Sequence, residues 1–113
     1  MAERTVIHKN LMTNETAVET LSTVLGPAFC SKGREWTFYV FFRPGTTAGA
    51  VFIETAHDPA FTGTWAQLGT TVTWATANTV HFRSITGTYL AMRARISTAI
   101  TGGTGVDVSV VGS

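Results

Sequence analysis

Few side chains in this sequence are suited to bind a metal ion, and they lie far apart. The three histidines are His8, His57 and His81, and the one cysteine is Cys30. Zinc sites use closely spaced pairs such as His-x3-His or Cys-x2-Cys, and neither spacing occurs here. We therefore expect no metal site and no bound cofactor. The single cysteine also excludes an intramolecular disulfide, which fits a reducing compartment.

Three carboxylates could in principle supply an acid–base pair for glycoside hydrolysis: Glu35, Glu54 and Asp58. Such a pair needs a fixed separation across a cleft, and nothing in the sequence sets that separation. Glu35 starts a predicted strand and Glu54 alternates with apolar residues, so both are expected to face solvent. No serine lies in a nucleophile-elbow motif, and no glycine-rich phosphate loop precedes a helix. We therefore expect that the chain is not an enzyme.

The stretch HDPAFTGTW, residues 57–65, places a histidine beside an aspartate. Asp58 can bond its own backbone and Pro59 fixes its own φ, so both residues favour a turn. Trp65 is expected to start the next strand as a packing anchor. The stretch is therefore interpreted as a connection between two strands, and the His57–Asp58 adjacency as incidental.

Low charge and abundant threonine characterise the surface of this chain. Charged residues make up 13% of the sequence, against about 25% in a typical protein. Threonine fills 21 of the 113 positions, and its β-branched side chain suits the exposed face of a sheet. The net charge is +1 and no basic stripe is present, so no nucleic-acid partner is expected. No signal peptide and no run of 18 apolar residues occurs, so no membrane partner is expected either.

The dominant period of the chain is two, which is typical of strands. In residues 35–42, EWTFYVFF, one face is expected to be buried and consists of Trp36, Phe38, Val40 and Phe42. Phe41 must then point to the opposite face, where it indicates an apolar surface and hence a partner. Short strands of this kind, separated by turns containing Gly or Pro, predict an all-β fold. The specific prediction is a single antiparallel β-sandwich, either jelly-roll or immunoglobulin-like.

Residues 79–85, 16–25 and 102–105 have patterns that need a separate interpretation. In TVHFRSI, residues 79–85, Val80 and Phe82 alternate with His81 and Arg83, and we expect His81 on the outer sheet face beside Arg83. Residues 16–25 begin with a capping box, yet a strand is favoured over a helix because the all-β context overrides weak local propensity. The glycine-rich residues 102–105 are interpreted as a hairpin turn.

The N-terminal residues 1–14 show no clear period and are interpreted as an arm or an edge strand before a β-sandwich domain of residues 15–113. The large aliphatic side chains of this segment are Val6, Ile7, Leu11 and Met12. A terminal segment that is neither strongly polar nor periodic is often ordered by a partner. We therefore predict that these four side chains pack against another chain. With Phe41, they form the predicted partner-binding set.

Several runs resemble a pattern common in virion proteins of tailed phages. They are AVFIETA at 50–56, the following HDP, TWAQLGT at 64–70, YLAMRARI at 89–96 and the terminal strand at 104–112. The resemblance covers about residues 34–112. Within this group the chain is similar to small capsid decoration, or cement, proteins. It departs from the pattern where the usual Asp-Gly turn is replaced by Asp58-Pro59, so loop contacts do not carry over.

The resemblance implies a non-enzymatic structural protein that binds and stabilises a capsid lattice. Its implied partner is a major capsid protein, its implied form is a homo-oligomer such as a trimer, and its implied location is the virion, assembled in the host cytoplasm. The residues leave one alternative open, which is a carbohydrate-binding module of a phage tail or adhesin. The aromatic side chains that could form its sugar-stacking platform are Trp36, Tyr39, Phe41, Trp65, Trp74 and Tyr89.

Overall fold

The computed structural model describes residues 6–58, 60–75 and 79–113. Its elements, in chain order, are β1 (Ile7–Glu15), α1 (Pro27–Cys30), β2 (Glu35–Phe42), β3 (Thr46–Ala56), β4 (Ala66–Thr73), β5 (Thr79–Thr86), β6 (Ala91–Gly102) and β7 (Val106–Gly112). All strand pairs are antiparallel. The strands form a four-stranded sheet in the order β1-β7-β2-β5 and a three-stranded sheet in the order β4-β3-β6. The predicted all-β sandwich is therefore confirmed.

The core lies between the two sheets and follows the period-two pattern. From β2 it receives Trp36, Phe38, Val40 and Phe42, each at most 1% exposed. The three-stranded sheet contributes inward side chains from β3 and β6, among them Val51, Ile53, Met92, Ala94 and Ile96. Aromatic and branched side chains at alternate positions fill such an interior well, because successive residues of a strand point to opposite faces.

The N-terminal segment is part of this core, because β1 pairs with β7 at the edge of the four-stranded sheet. A register shift between Asn10 and Met12 allows two successive side chains to turn inward. Leu11 and Met12 are accordingly only 8% and 5% exposed. The prediction that these two residues pack against another chain is therefore wrong. They are buried in the core of their own domain, and β1 runs through the expected boundary at residue 15.

Residues 16–25 are not helical and lie along the free edge of β6. Leu21 bridges to Arg95 and Leu25 bridges to Met92 in antiparallel sense. The Glu19 N–H donates to the Ile96 carbonyl at 2.8 Å. A single helical turn follows, with proline at its start, where the missing N–H is tolerated. The sequence pattern did not predict this helix, since four residues are too few to show a helical period.

On the side of the sandwich opposite to residues 16–25, Arg83 connects the edge strands of the two sheets. This side chain extends from β5 to β4, where its Nε and Nη2 donate to the Thr70 and Thr71 carbonyls at 3.2 and 3.0 Å. Its Nη1 also donates to the Phe82 carbonyl at 2.8 Å. The guanidinium therefore satisfies backbone oxygens of two edge strands that do not pair with each other, which protects both edges from association.

The glycine-rich residues 102–105 form a turn, but not a hairpin. β6 belongs to the three-stranded sheet and β7 to the four-stranded sheet, so the turn connects the two layers. Gly102 and Gly103 have φ values of 76° and 60°. A Cβ on Gly103 would lie 2.5 Å from the Pro44 carbonyl oxygen. Both the positive φ and this close approach require glycine here.

Candidate protein-docking surface

The outer face of the four-stranded sheet carries a contiguous group of apolar side chains. This outer apolar cluster consists of Tyr39 and Phe41 from β2 and Val80 and Phe82 from β5. In the β2–β5 register Tyr39 is opposite Phe82 and Phe41 is opposite Val80, so the four side chains share one face. The Tyr39 and Phe82 ring centroids are 6.5 Å apart. Tyr39, Val80 and Phe82 remain 39%, 54% and 57% exposed.

The parity of β5 is the reason that Val80 and Phe82 face solvent. Ile85 lies opposite Trp36 and is 8% exposed, so it fixes the inward side of the strand. His81 is on this same inward side, and its ring packs edge-on against Phe42 at 5.6 Å between centroids. The expectation that His81 stands on the outer face is therefore wrong. The sequence does contain a signal for this orientation. Ile85 is apolar and is expected in the core, and alternation along the strand then places His81 on the same inward side.

A groove of about 530 Å³ adjoins the cluster, and its walls are partly polar. Tyr39, Phe41 and Val80 contribute apolar surface to it, and Arg43 and Asp107 contribute charge. The Arg43 Nε donates to Asp107 Oδ2 at 2.9 Å. The side chains of this ion pair are 31% and 29% exposed, so solvent screens the interaction. An apolar floor with a polar rim is typical of surfaces that bind other proteins.

The predicted partner-binding residues have different positions in the structure. Phe41 lies on the outer face as predicted and is half-buried within the cluster. Val6 is 61% exposed, next to the start of β1. Ile7 is partly buried against the core of its own chain. Leu11 and Met12 are core residues, and Met12 also lines the groove. Of the predicted set, only Phe41 belongs to the outer apolar cluster.

The candidate acid–base residues belong to different parts of the fold, with Glu35 in β2, Glu54 in β3 and Asp58 in the connection after β3. Glu35 is exposed at the start of β2, as expected. Glu54 is only 4% exposed, which contradicts the expectation that it faces solvent. Its Oε1 accepts a hydrogen bond from Arg93 Nε at 3.0 Å and lies 3.6 Å from Arg95 Nε. Two guanidiniums therefore compensate the burial of this carboxylate.

The same two arginines explain where Trp65 lies. The Arg93 guanidinium stacks over the Trp65 ring at 4.0 Å, and that of Arg95 stacks over Phe52 at 4.4 Å. Trp65 is only 5% exposed. It lies on the outer face of the three-stranded sheet, where the Arg93 guanidinium covers its ring. It is therefore an anchor of a cation–π layer rather than of the main core.

The connection between β3 and β4 behaves as a turn. The Asp58 Oδ1 accepts a hydrogen bond from the Ala60 N–H at 2.9 Å, which is the turn-starting bond predicted for this side chain. The His57 ring packs against the Phe61 ring in a tilted arrangement, with 4.8 Å between centroids. Pro59, whose fixed φ was also expected to favour the turn, lies outside the described residues.

The remaining candidates for metal binding or reactivity show no assembled site in the described part of the chain. No group of three or more His, Cys, Asp or Glu residues that could hold a metal ion occurs among the described residues. Cys30 is fully buried, and its thiol donates to the Leu25 carbonyl at 3.2 Å. Burial raises the pKa of this thiol above its ordinary value, which suppresses its reactivity. Among the described residues, no helix is long and apolar enough to cross a membrane.

Comparisons with known proteins add no relative. Neither a protein-family model nor a curated protein nor a solved structure matches this chain. The fold and the surface therefore define its class as a β-sandwich domain with an exposed apolar patch on the outer face of its larger sheet.

Proposed function

We propose that this chain is a non-enzymatic virion protein that decorates a capsid lattice and docks on it through the outer apolar cluster. The observation that supports this role is the exposure of three large apolar side chains on one sheet face. A contiguous patch of this kind is unfavourable in water and marks an interaction site more often than an inert surface. The resemblance of residues 34–112 to tailed-phage virion proteins supplies the expected partner, a major capsid protein.

Decoration acts through binding free energy. A homo-oligomer with one docking face per copy spans neighbouring capsid subunits, and the surface buried on each of them stabilises the bound lattice by mass action. The cluster suits this role because aromatic side chains dominate the buried centres of protein interfaces. Charged residues make up only 13% of the chain, so docking would require few charges to be desolvated.

The proposal is tested by a double variant, Val80→Thr with Phe82→Thr. Both positions are more than half exposed and threonine retains strand propensity, so the unfolding free energy is expected to change by less than about 1 kcal/mol. Co-sedimentation with purified virions stripped of the protein is expected to weaken at least about tenfold. Val18→Thr, at a residue 50% exposed on segment 16–25, is the matched control and should bind as the unmodified protein does. Undiminished binding of the double variant would contradict the proposal.

The expected location is tested separately by mass spectrometry of purified virions. The protein should be present at a copy number that is a simple fraction or multiple of the capsid subunit count. Absence of the chain from intact particles would exclude the decoration role, whatever the outer apolar cluster binds.

Carbohydrate binding remains the second candidate function, but only part of the predicted platform is exposed. Trp36 and Trp65 are 1% and 5% exposed, so neither ring can stack on a sugar. The exposed rings of Tyr39 and Phe82 and the polar rim of the groove favour a sugar site on the outer face instead. A glycan array with the unmodified protein and the Val80→Thr, Phe82→Thr variant would detect this activity. Glycan binding that is lost in the variant, without any virion binding, would favour the second candidate.

A further inference from the structure

We propose that the groove beside the outer apolar cluster binds a protein segment that carries a carboxylate next to an apolar side chain, and that Arg43 pairs with this carboxylate. The inference rests on the proposed function only in taking this surface as a protein-docking site. It adds the chemistry of the partner, an acidic residue adjacent to an aliphatic or aromatic one, and it identifies the residue that selects it.

Asp107 fixes the position of Arg43. Its Oδ2 accepts the Arg43 Nε–H at 2.9 Å, and its Oδ1 accepts the Asn14 N–H at 3.0 Å. Both carboxylate oxygens therefore hold a donor, and the second bond ties the side chain to the backbone of the neighbouring strand. A guanidinium held in this way loses little further conformational freedom when it binds a ligand.

Within the described part of the chain, the terminal nitrogens of Arg43 are the donors that the groove can offer to a ligand. No described residue accepts a hydrogen bond from either Nη atom of Arg43. The planar guanidinium can present its remaining N–H groups to one planar oxyanion, a geometry that matches carboxylates. Arg43 lines the groove and is 31% exposed, so an incoming carboxylate can reach it.

The apolar part of the partner is defined by the floor of the groove. Tyr39, Phe41 and Val80 line it next to Arg43, and Val80 is 54% exposed. The volume of about 530 Å³ is enough to take a large side chain together with a flanking carboxylate. Arg43 and the apolar floor of the groove are adjacent. Together they favour a segment in which an acidic residue is next to an apolar one.

The charge of Asp107 limits how strongly the groove can prefer a carboxylate over a neutral group. Among the described residues that line the groove, Arg43 and Asp107 are the charged ones, and their charges cancel. The carboxylate of the partner therefore contributes orientation and specificity more than affinity. We expect a preference for the acid over a neutral analogue of about fivefold, not of several orders of magnitude.

The preference is measured with two small probes in NMR titrations of the isotope-labelled protein. N-acetylphenylalanine combines an aromatic ring with a carboxylate, and its carboxamide is the neutral counterpart. The acid is expected to shift the backbone signals of β2 and β7 around Arg43 and to bind about fivefold more tightly than the amide. Arg43→Gln should abolish this difference. Arg34→Gln is the matched control, because Arg34 is exposed just before β2 whereas Arg43 follows it, and it should retain the difference.

Each of the following results would overturn the inference. Equal dissociation constants for acid and amide, no saturable shift with either probe, or an acid preference that survives in Arg43→Gln all exclude the proposed role of Arg43. A neutral glycan that binds at the same residues equally well in Arg43→Gln would assign the groove to sugars. A change in the sedimentation coefficient of the isolated protein on Arg43→Gln would assign it to a second copy of this chain.

The titration and the virion assay fail independently. If the unmodified protein does not bind virions but still prefers the acid over the amide, the decoration role is refuted and the groove remains assigned. Conversely, virion binding that depends on Val80 and Phe82 but not on Arg43 would support docking and refute the selection of a carboxylate.

Discussion

At the scale of single residues, the ion pairs of Glu54 and Glu19 show how burial changes the contribution of an ion pair to the free energy of unfolding. Both carboxylates interact with Arg95, but Glu54 is 4% exposed, whereas the Glu19 side chain is 64% exposed. Glu54 also receives the Arg93 Nε at 3.0 Å. Removing one partner of a buried pair leaves the other charge uncompensated, whereas water replaces the partner of an exposed one.

We therefore predict that Glu54→Gln lowers the free energy of unfolding by about 3 kcal/mol and that Glu19→Gln lowers it by less than about 1 kcal/mol. Urea unfolding followed by circular dichroism measures both values. The substitutions are matched in chemistry and share Arg95 as a partner. Similar losses in the two variants would show that burial of Glu54 does not govern its contribution.

Burial of a charged side chain is also what the sequence could not reveal. Glu54 alternates with Val51 and Ile53 as a solvent-facing residue does, and the pattern contains no sign of the arginines on the adjacent strand. His81 is a different case, because the apolar Ile85 on the same strand indicates that His81 faces inward. Phe41 was placed correctly because two adjacent aromatic residues of one strand cannot both enter the same core.

At the scale of elements, β1 shows where periodicity ceases to be informative. The register shift beside Asn10 puts Leu11 and Met12 on the same side, which erases the period-two signal that a regular strand would show. Strands β2 and β7 and residues 91–96 of β6 could be predicted because their pairing is regular and their apolar residues alternate. A bulged edge strand has the same composition without the pattern, so the sequence leaves both an arm and an edge strand open, and the structure shows the edge strand.

The position of β1 leads to a prediction opposite to that for a partner-binding arm. Leu11→Ala should lower the free energy of unfolding by about 2–4 kcal/mol, because Leu11 is 8% exposed and its removal leaves a cavity. Val6→Ala, at a residue 61% exposed, should change it by less than about 0.5 kcal/mol. Chemical denaturation of the isolated protein measures both. A Leu11→Ala protein of unchanged stability that has lost oligomerisation would restore the arm hypothesis.

Arg83 connects β5 to β4 and has a testable role in closing the sandwich. Lysine retains the charge but cannot reach the Thr70, Thr71 and Phe82 carbonyls together, so Arg83→Lys should lower the free energy of unfolding by about 1–2 kcal/mol. Hydrogen exchange should accelerate in β4 and β5 and remain unchanged in β1 and β7. Arg34→Lys, at an exposed arginine, serves as the control. Uniform acceleration across all strands would indicate a global loss of stability instead of a local opening.

At the scale of the whole molecule, the two sheets share one hydrophobic core. A single cluster of buried residues includes Leu11 of β1, Leu25 of the segment along β6, Trp36 of β2 and Ile53 of β3. The N-terminal residues 7–25 thus provide edge contacts to both sheets in one continuous stretch. Neither sheet retains a complete core without the other, so the described domain should unfold as one cooperative unit.

Two tryptophans report on this cooperativity from different layers. Trp36 lies in the core between the sheets, and Trp65 lies under Arg93 on the outer face of the three-stranded sheet. In a variant that keeps only Trp36, with Trp65 and Trp74 replaced by Phe, the fluorescence midpoint in urea should coincide with the circular dichroism midpoint of the same protein. The same coincidence is expected when only Trp65 is kept, because the cation–π layer has no support once the core strands separate. A Trp65 transition that precedes the loss of β-structure would instead show that this outer layer opens by itself, and the domain would then have two cooperative parts.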